Sequence, residues 1–274
     1  MNPRTKQICS CVLIVIFLTI FIWSGCKLLN YVKECKESVE SYENAQSVVQ
    51  IETLPIIETK EEDDDIDNET TEPLITEPYD EYKYLKIKID VDWSSLLSQS
   101  QDVVGWLYIP DSNMNYPLMH RDNLYYLDHD YLGNYNSGGA VFLDEYVDMN
   151  SKNIIIYGHH MSSDTMFHRL VDYADQEYAD AHKYIYIATE NGTRLYEVFS
   201  VVYADSSSDT YTWEFDSGSG LTFKDYINKA IKNSIVERET MEILEGDRII
   251  SLSTCSGRSN TERLVVHAVL LTTY

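Results

Sequence analysis

The sequence predicts a mainly β domain, a barrel or sandwich with helical additions, carried behind one membrane-length helix. Three observations predict it. An uncharged apolar run near the N-terminus has the length of a spanning helix, a proline-punctuated acidic stretch follows it, and short strand-forming segments then recur between turn signals. The 274 residues have room for that helix, a linker and one domain with a sizeable core. Apolar residues make up 44% of the chain and tyrosine supplies 22 positions, so a packed β-rich domain is compatible with a net charge of −24. That charge, with no Lys/Arg cluster to reverse it locally, excludes nucleic acid as a partner and disfavours adhesion to anionic lipid heads.

Taken in order, residues 1–30 read as a short cytoplasmic tip and a transmembrane signal-anchor, with "ICSCVLIVIFLTIFIWSGC", Ile8 to Cys26, as its apolar core. Arg4 and Lys6 precede it and favour a cytoplasmic N-terminus, against Lys27 and Lys33 on the far side. A cleaved signal peptide is the alternative. Its apolar core would be shorter and followed by small residues, where this chain has Lys27-Leu28-Leu29-Asn30-Tyr31. Residues 31–81 are expected to be an acidic extracellular linker, because Ile57 to Pro78 is a run of like charge that cannot bury enough apolar surface to fold alone.

The domain is expected over 82–274. Val91 to Leu97 suggests a short helix leading into a strand that ends at Pro110. Six further strand candidates follow: "GGAVFLD", "KNIIIYGH", "KYIYIAT", "RLYEVFSVVYA", "DRIISLSTC" and "RLVVHAVLLTT". Two segments break the rhythm with helical spacing of apolar residues, one around Leu170, Val171 and Tyr173, the other around Phe223, Tyr226, Ile227 and Ile231.

Of the five cysteines, Cys9, Cys11 and Cys26 lie in or beside the apolar helix, Cys35 sits just beyond it, and only Cys255 belongs to the domain. One cysteine forms no internal disulfide and supplies no cysteine pair for zinc. Two readings of it stand: a small core hydrophobe, or a nucleophile. Cys255 ends the strand "IISLSTC", and His159 follows Gly158 at the end of "NIIIYG". A thiol and an imidazole at strand ends are the nucleophile and proton carrier that thiol chemistry needs. Arg263 begins the next strand; its guanidinium cannot act as a base but can hold a carbonyl or an oxyanion. The other histidines, His120, His129, His168, His182 and His267, show no ligand spacing, and no metal site is expected.

These segments resemble the sortases, membrane-anchored cysteine transpeptidases of Gram-positive bacteria. "LSTCSG…ERLVVHA" is similar to the family's cysteine and arginine signature, and "IIIYGHHM…TMFHRL" to its histidine segment. "DVVGWLYIPDSNMNYPLM…DNLYYLDHDYLGNYNSGGAVFLD" resembles the first half of class B members, as does a helix from Thr222 to Val236 ahead of the cysteine strand. The likeness runs in order from about Val91 to Thr273. It implies an eight-stranded sortase β-barrel with N-terminal helices and a helical insert.

Carried over by position, the resemblance implies Cys255 as nucleophile, His159 as acid/base, Arg263 as the transition-state cation, and Ser253 and Thr254 as substrate contacts. His160 does not match the histidine position and is left out. Some relatives carry an acid directly after the cysteine, where this chain has Ser256. The implied reaction cuts a C-terminal sorting motif of a secreted protein, holds the acyl part as a thioester, and passes it to the amine of a peptidoglycan precursor, with no cofactor. The implied location is the cell membrane, with the catalytic domain outside. A tethered cysteine peptidase acting by hydrolysis and a non-catalytic ectodomain are the alternatives.

Overall fold

A computed structural model describes residues 3–53, 85–215, 220–238 and 242–274, with the side chains of 3–11, 34, 35 and 38 left aside. Helix α1 spans Pro3–Gln46 without a break. Its Val12–Lys33 stretch is long and apolar enough to cross a membrane, and its side chains are exposed.

The far end of α1 joins the folded body. Tyr42 and Ala45 are buried, the Tyr42 hydroxyl donates to the Gly139 carbonyl at 2.8 Å, and its ring meets Tyr116 edge-on at 5.3 Å. Strand β1 (Val49–Thr53) then pairs antiparallel with β2 (Ile87–Val91). The 31–81 segment expected to be linker is therefore structured from 31 to 53, and the folded body begins near Ser41 rather than at 82. One turn of helix contributing Tyr42 and Ala45 is too short a pattern to register as amphipathic periodicity, and the strand that β1 pairs with lies beyond the acidic run. The acidic stretch from Ile57 to Pro78 lies outside the described residues.

After α2 (Trp93–Gln99), whose start is capped by the Asp92 carboxylate accepting from the Ser95 amide at 2.9 Å, come the barrel strands. These are β3 (Val103–Tyr108), β4 (Asn115–His120), β5 (Val141–Leu143), β6 (Asn153–Tyr157), β7 (Tyr184–Thr189), β8 (Gly192–Asp205), β9 (Ile249–Cys255) and β10 (Glu262–Thr273). They close in the order β10-β8-β7-β3-β4-β5-β6-β9. The β4–β5 and β6–β9 pairs are parallel and the others antiparallel. Closure leaves the barrel no free edge, and the interior is filled by Leu107, Leu118, Ile156, Leu252, Leu264 and Val266 among others.

Strand β4 was not among the sequence-expected strands. It carries Pro117 and directly follows a turn, both of which argue locally against a strand. The first helical segment resolves into a 3₁₀ stretch (His168–Ala174) and the short α3 (Gln176–Ala181); the second is α4 (Phe223–Lys232). Phe223, Tyr226, Ile227 and Ala230 of α4 bury one face against Phe199, Ile249 and Val269 on the outside of the barrel.

Candidate active site

Strand β9 lies between β6 and β10, and register alone brings the chemistry together. Tyr157 of β6 is level with Ser253 of β9, while Arg263 of β10 stands directly opposite Cys255. Ile250 and Leu252 point into the barrel with Leu264 and Val266, so the alternating positions Ser251, Ser253 and Cys255 face outward, together with Arg263 and Val265. Directly opposed residues of an antiparallel pair have Cβ atoms about 5 Å apart, so the two side chains start from neighbouring points on one face.

The turn after Cys255 holds that pairing. Gly257 sits at φ 75°, in the left-handed region that glycine adopts freely. Ser256 donates through its amide to the Glu262 carbonyl (3.2 Å) and through its hydroxyl to the Glu262 carboxylate (3.0 Å). An acid thus meets the residue after the cysteine from across the turn. The Arg263 Nη1 donates to the carbonyls of Asn260 (2.9 Å) and Glu262 (3.2 Å), which fixes one side of the guanidinium.

His159 is placed by the chain leaving β6. The Gly158 amide donates to the Ser253 carbonyl at 3.2 Å, and the Thr254 hydroxyl donates to the Gly158 carbonyl at 2.8 Å. The His159 carbonyl accepts from the Phe167 amide at 2.9 Å. Its ring Nε2 lies 2.7 Å from the Leu127 carbonyl. A carbonyl only accepts, so Nε2 carries a proton, and in the neutral ring the lone pair sits on Nδ1. His160 turns elsewhere: its ring packs 4.8 Å from that of His168, and burial first, then the neighbouring His168, hold its pKa below the usual histidine range.

His159, Ser253, Thr254, Cys255 and Arg263 all line one cleft of about 290 Å³. The structure thereby brings together every residue the sequence singled out. It also adds walls the sequence did not: Asn123, Leu127, Phe142, Tyr157 and Tyr211. The Tyr157 hydroxyl donates to the Asp144 carboxylate at 2.9 Å, and burial, then the Asp144 charge, push its pKa up. The Tyr211 hydroxyl shares a 2.9 Å hydrogen bond with the Ser253 hydroxyl; burial raises its pKa, while that hydrogen bond and the Arg263 charge pull it down. Tyr157 adjoins "GHH" and was open to notice, but Tyr211 lies in the polar segment "DSSSDTYTW", which has no periodicity to mark it.

Residues 107–271 match the model of the Sortase domain family. A sortase B of Listeria monocytogenes is 30% identical over 268 residues, covering 95% of this chain and 96% of the relative. The solved Staphylococcus aureus sortase B–substrate complex is 28% identical with a TM-score of 0.60, covering 65% of this chain and 84% of that one. A Bacillus anthracis protein similar to sortase B is 33% identical with a TM-score of 0.58, covering 66% of this chain and 82% of that one.

Proposed function

This chain belongs to the sortase family, as a class B sortase and a cysteine transpeptidase that anchors surface proteins, and we propose that Cys255, His159 and Arg263 carry its chemistry. The observation that carries the assignment is the opposition of Arg263 to Cys255 across β9 and β10, with His159 lining the same cleft.

The Cys255 sulfur, as thiolate, attacks the carbonyl carbon of the scissile peptide bond. A free thiol is only a few per cent ionised at neutral pH, so a proton carrier beside it is needed, and His159 takes the proton on Nδ1 while Leu127 holds Nε2. Charge moves to the carbonyl oxygen, where the Arg263 donors not engaged by Asn260 and Glu262 receive it. Collapse breaks the C–N bond, the leaving nitrogen takes the proton from His159, and the acyl group stays as a thioester on sulfur. An incoming primary amine gives a proton back to His159, attacks the thioester carbon and expels the thiolate, leaving a new amide bond.

Ser253 and Thr254 serve the substrate in different ways. Ser253 orients Tyr211 at the wall, and Thr254 uses its hydroxyl on Gly158, which keeps the histidine hinge in register with the cysteine strand. The substrates in this reading are secreted proteins with a C-terminal sorting motif, and the acceptor is the amine of a peptidoglycan precursor. Helix α1 anchors the enzyme, with Arg4 and Lys6 on the cytoplasmic side and the barrel outside.

The test uses a quenched peptide that the protein turns over, with and without a short oligoglycine amine. Acyl transfer to the glycine, a thioester trapped on Cys255, and loss of both in Cys255→Ala are the expected results. Product partition indifferent to the amine would make the enzyme a hydrolase, and turnover retained in Cys255→Ala would end the cysteine assignment.

A further inference from the structure

Beneath α4 the outer face of the barrel carries buried polar side chains that the chemistry above does not use. Asn153, Ser251 and His267 are almost wholly inaccessible to water, and Tyr226 of α4 covers them. Their hydrogen bonds run in a fixed direction. Asn153 Nδ2 donates to the Thr212 carbonyl (2.9 Å) and to the Tyr226 hydroxyl (3.2 Å), so its Oδ1 is the acceptor. That oxygen accepts from the Ser251 hydroxyl at 2.8 Å, which has spent its one proton and therefore accepts from His267 Nδ1 at 2.9 Å. The Tyr226 hydroxyl in turn donates to the Thr210 carbonyl at 2.8 Å.

Two arms of this network, through Asn153 and Tyr226, end on one short segment, Asp209 to Trp213. Each of its five residues is held by a different contact. Lys229 of α4 pairs with Asp209 at 2.6 Å, Tyr226 holds Thr210, Ser253 holds Tyr211, Asn153 holds Thr212, and Trp213 stacks on Tyr146 at 5.2 Å. The segment has only a three-residue 3₁₀ turn of its own, Asp209–Tyr211. Yet it carries Tyr211, which forms a wall of the cleft beside Cys255 and Arg263. Buried polar groups are costly unless fully satisfied, and when satisfied they specify one geometry.

We propose that Tyr226 and Asn153 are positioning residues: through the carbonyls of Thr210 and Thr212 they couple α4 to Tyr211 and so set the wall against which the peptide substrate is held. The inference rests on the proposed function for the identity of the substrate. Tyr226→Phe removes the hydroxyl and keeps the ring that packs against the barrel. KM for the quenched peptide is expected to rise about five- to twentyfold as two hydrogen bonds are lost, with kcat and the alkylation rate of Cys255 by iodoacetamide within about twofold.

The decisive measurement is the cycle with Tyr211→Ala. If Tyr226 acts through Tyr211, then Tyr226→Phe adds no further rise in KM once Tyr211 is gone; a general loss of barrel stability would act by the same factor in both backgrounds. Lys229→Gln, at the exposed end of α4, is read in the same way and leaves the buried network untouched, so the coupling is measurable even if Tyr226→Phe does not fold. A KM rise of the same factor with and without Tyr211, or no rise in either α4 variant, overturns the proposal. Failure of the cysteine assignment is seen separately, as turnover surviving in Cys255→Ala before any of these variants is compared.

Discussion

Gly158 lies between the last residue of β6 and His159, and replacing it with alanine tests whether that hinge sets the histidine. An ideal Cβ built there falls 2.7 Å from two ring carbons of Phe167 and 3.2 Å from its Cβ. Carbon atoms at ordinary contact are about 3.5–4.0 Å apart, so something must move by roughly 1 Å. Phe167 is fully buried and cannot swing into solvent. The Gly158 backbone is tied on both sides, by its amide to the Ser253 carbonyl and by its carbonyl to the Thr254 hydroxyl. The remaining freedom is at His159, whose carbonyl is bonded to the Phe167 amide itself.

Overpacking of this kind costs about 1–3 kcal/mol. At about 2–4 °C per kcal/mol for a domain of this size, the melting temperature should fall by roughly 2–12 °C. A displacement near 1 Å at a positioned catalytic group costs on the order of 10²-fold in turnover. The assay is acyl transfer from the quenched peptide to oligoglycine, alongside a thermal melt. Adding Phe167→Leu removes the ring and should return at least about tenfold of the lost activity. A Gly158→Ala enzyme within about threefold of normal kcat/KM, or a loss that Phe167→Leu does not relieve, would show that the hinge does not set the histidine.

His159→Ala should lower kcat/KM by about 10²–10⁴-fold and His160→Ala by much less, measured in the same transfer assay, because only His159 lines the cleft. Arg263→Lys keeps the charge but loses the planar fork, and should cost roughly 10²–10³-fold in acyl transfer while sparing alkylation of Cys255; near-normal transfer would reduce the arginine to a source of charge. Burial depresses the His267 pKa from the ordinary 6.5 to about 3, so the unfolded chain binds the extra proton first. The stability this contributes is complete above pH 6.5 and is lost as the pH falls towards 3. Denaturant melts across that window should show a shallower acid loss for His267→Asn, which keeps a donor for Ser251, than for the unaltered protein; equal slopes would refute it.

Much of the barrel was legible because most of its strands announce themselves one at a time. "NIIIYG", "IISLSTC" and "RLVVHAVLLTT" are β-branched runs between turn residues, and each became a strand close to where it was expected. What escaped depended on a partner distant in sequence. Strand β4 holds Pro117 yet is held on both sides, by β3 and β5. Strand β1 gains its place only by pairing with β2, more than thirty residues on. Tyr211 owes its position to contacts from α4, β6 and β9, none of which leaves a mark in "DSSSDTYTW".

The site shows the same division between what one strand states and what two strands decide. That Cys255 and His159 end strands can be read directly, and so can the arginine that begins the next one. That Arg263 faces Cys255 cannot, because side chains alternate along a strand and a slip of one residue in the β9–β10 pairing would turn the guanidinium toward the barrel interior. The register is held from Ile249 opposite Val269 to Cys255 opposite Arg263 with no bulge between. Within it, Ile250, Leu252, Leu264 and Val266 all fall on the inner face and belong to the core. A one-residue slip of β10 would expose Leu264 and Val266 and bury the arginine. The hydrophobic core therefore excludes the one-residue slips, and the placement of Cys255 and Arg263 on one outer face follows from how the barrel wall is packed.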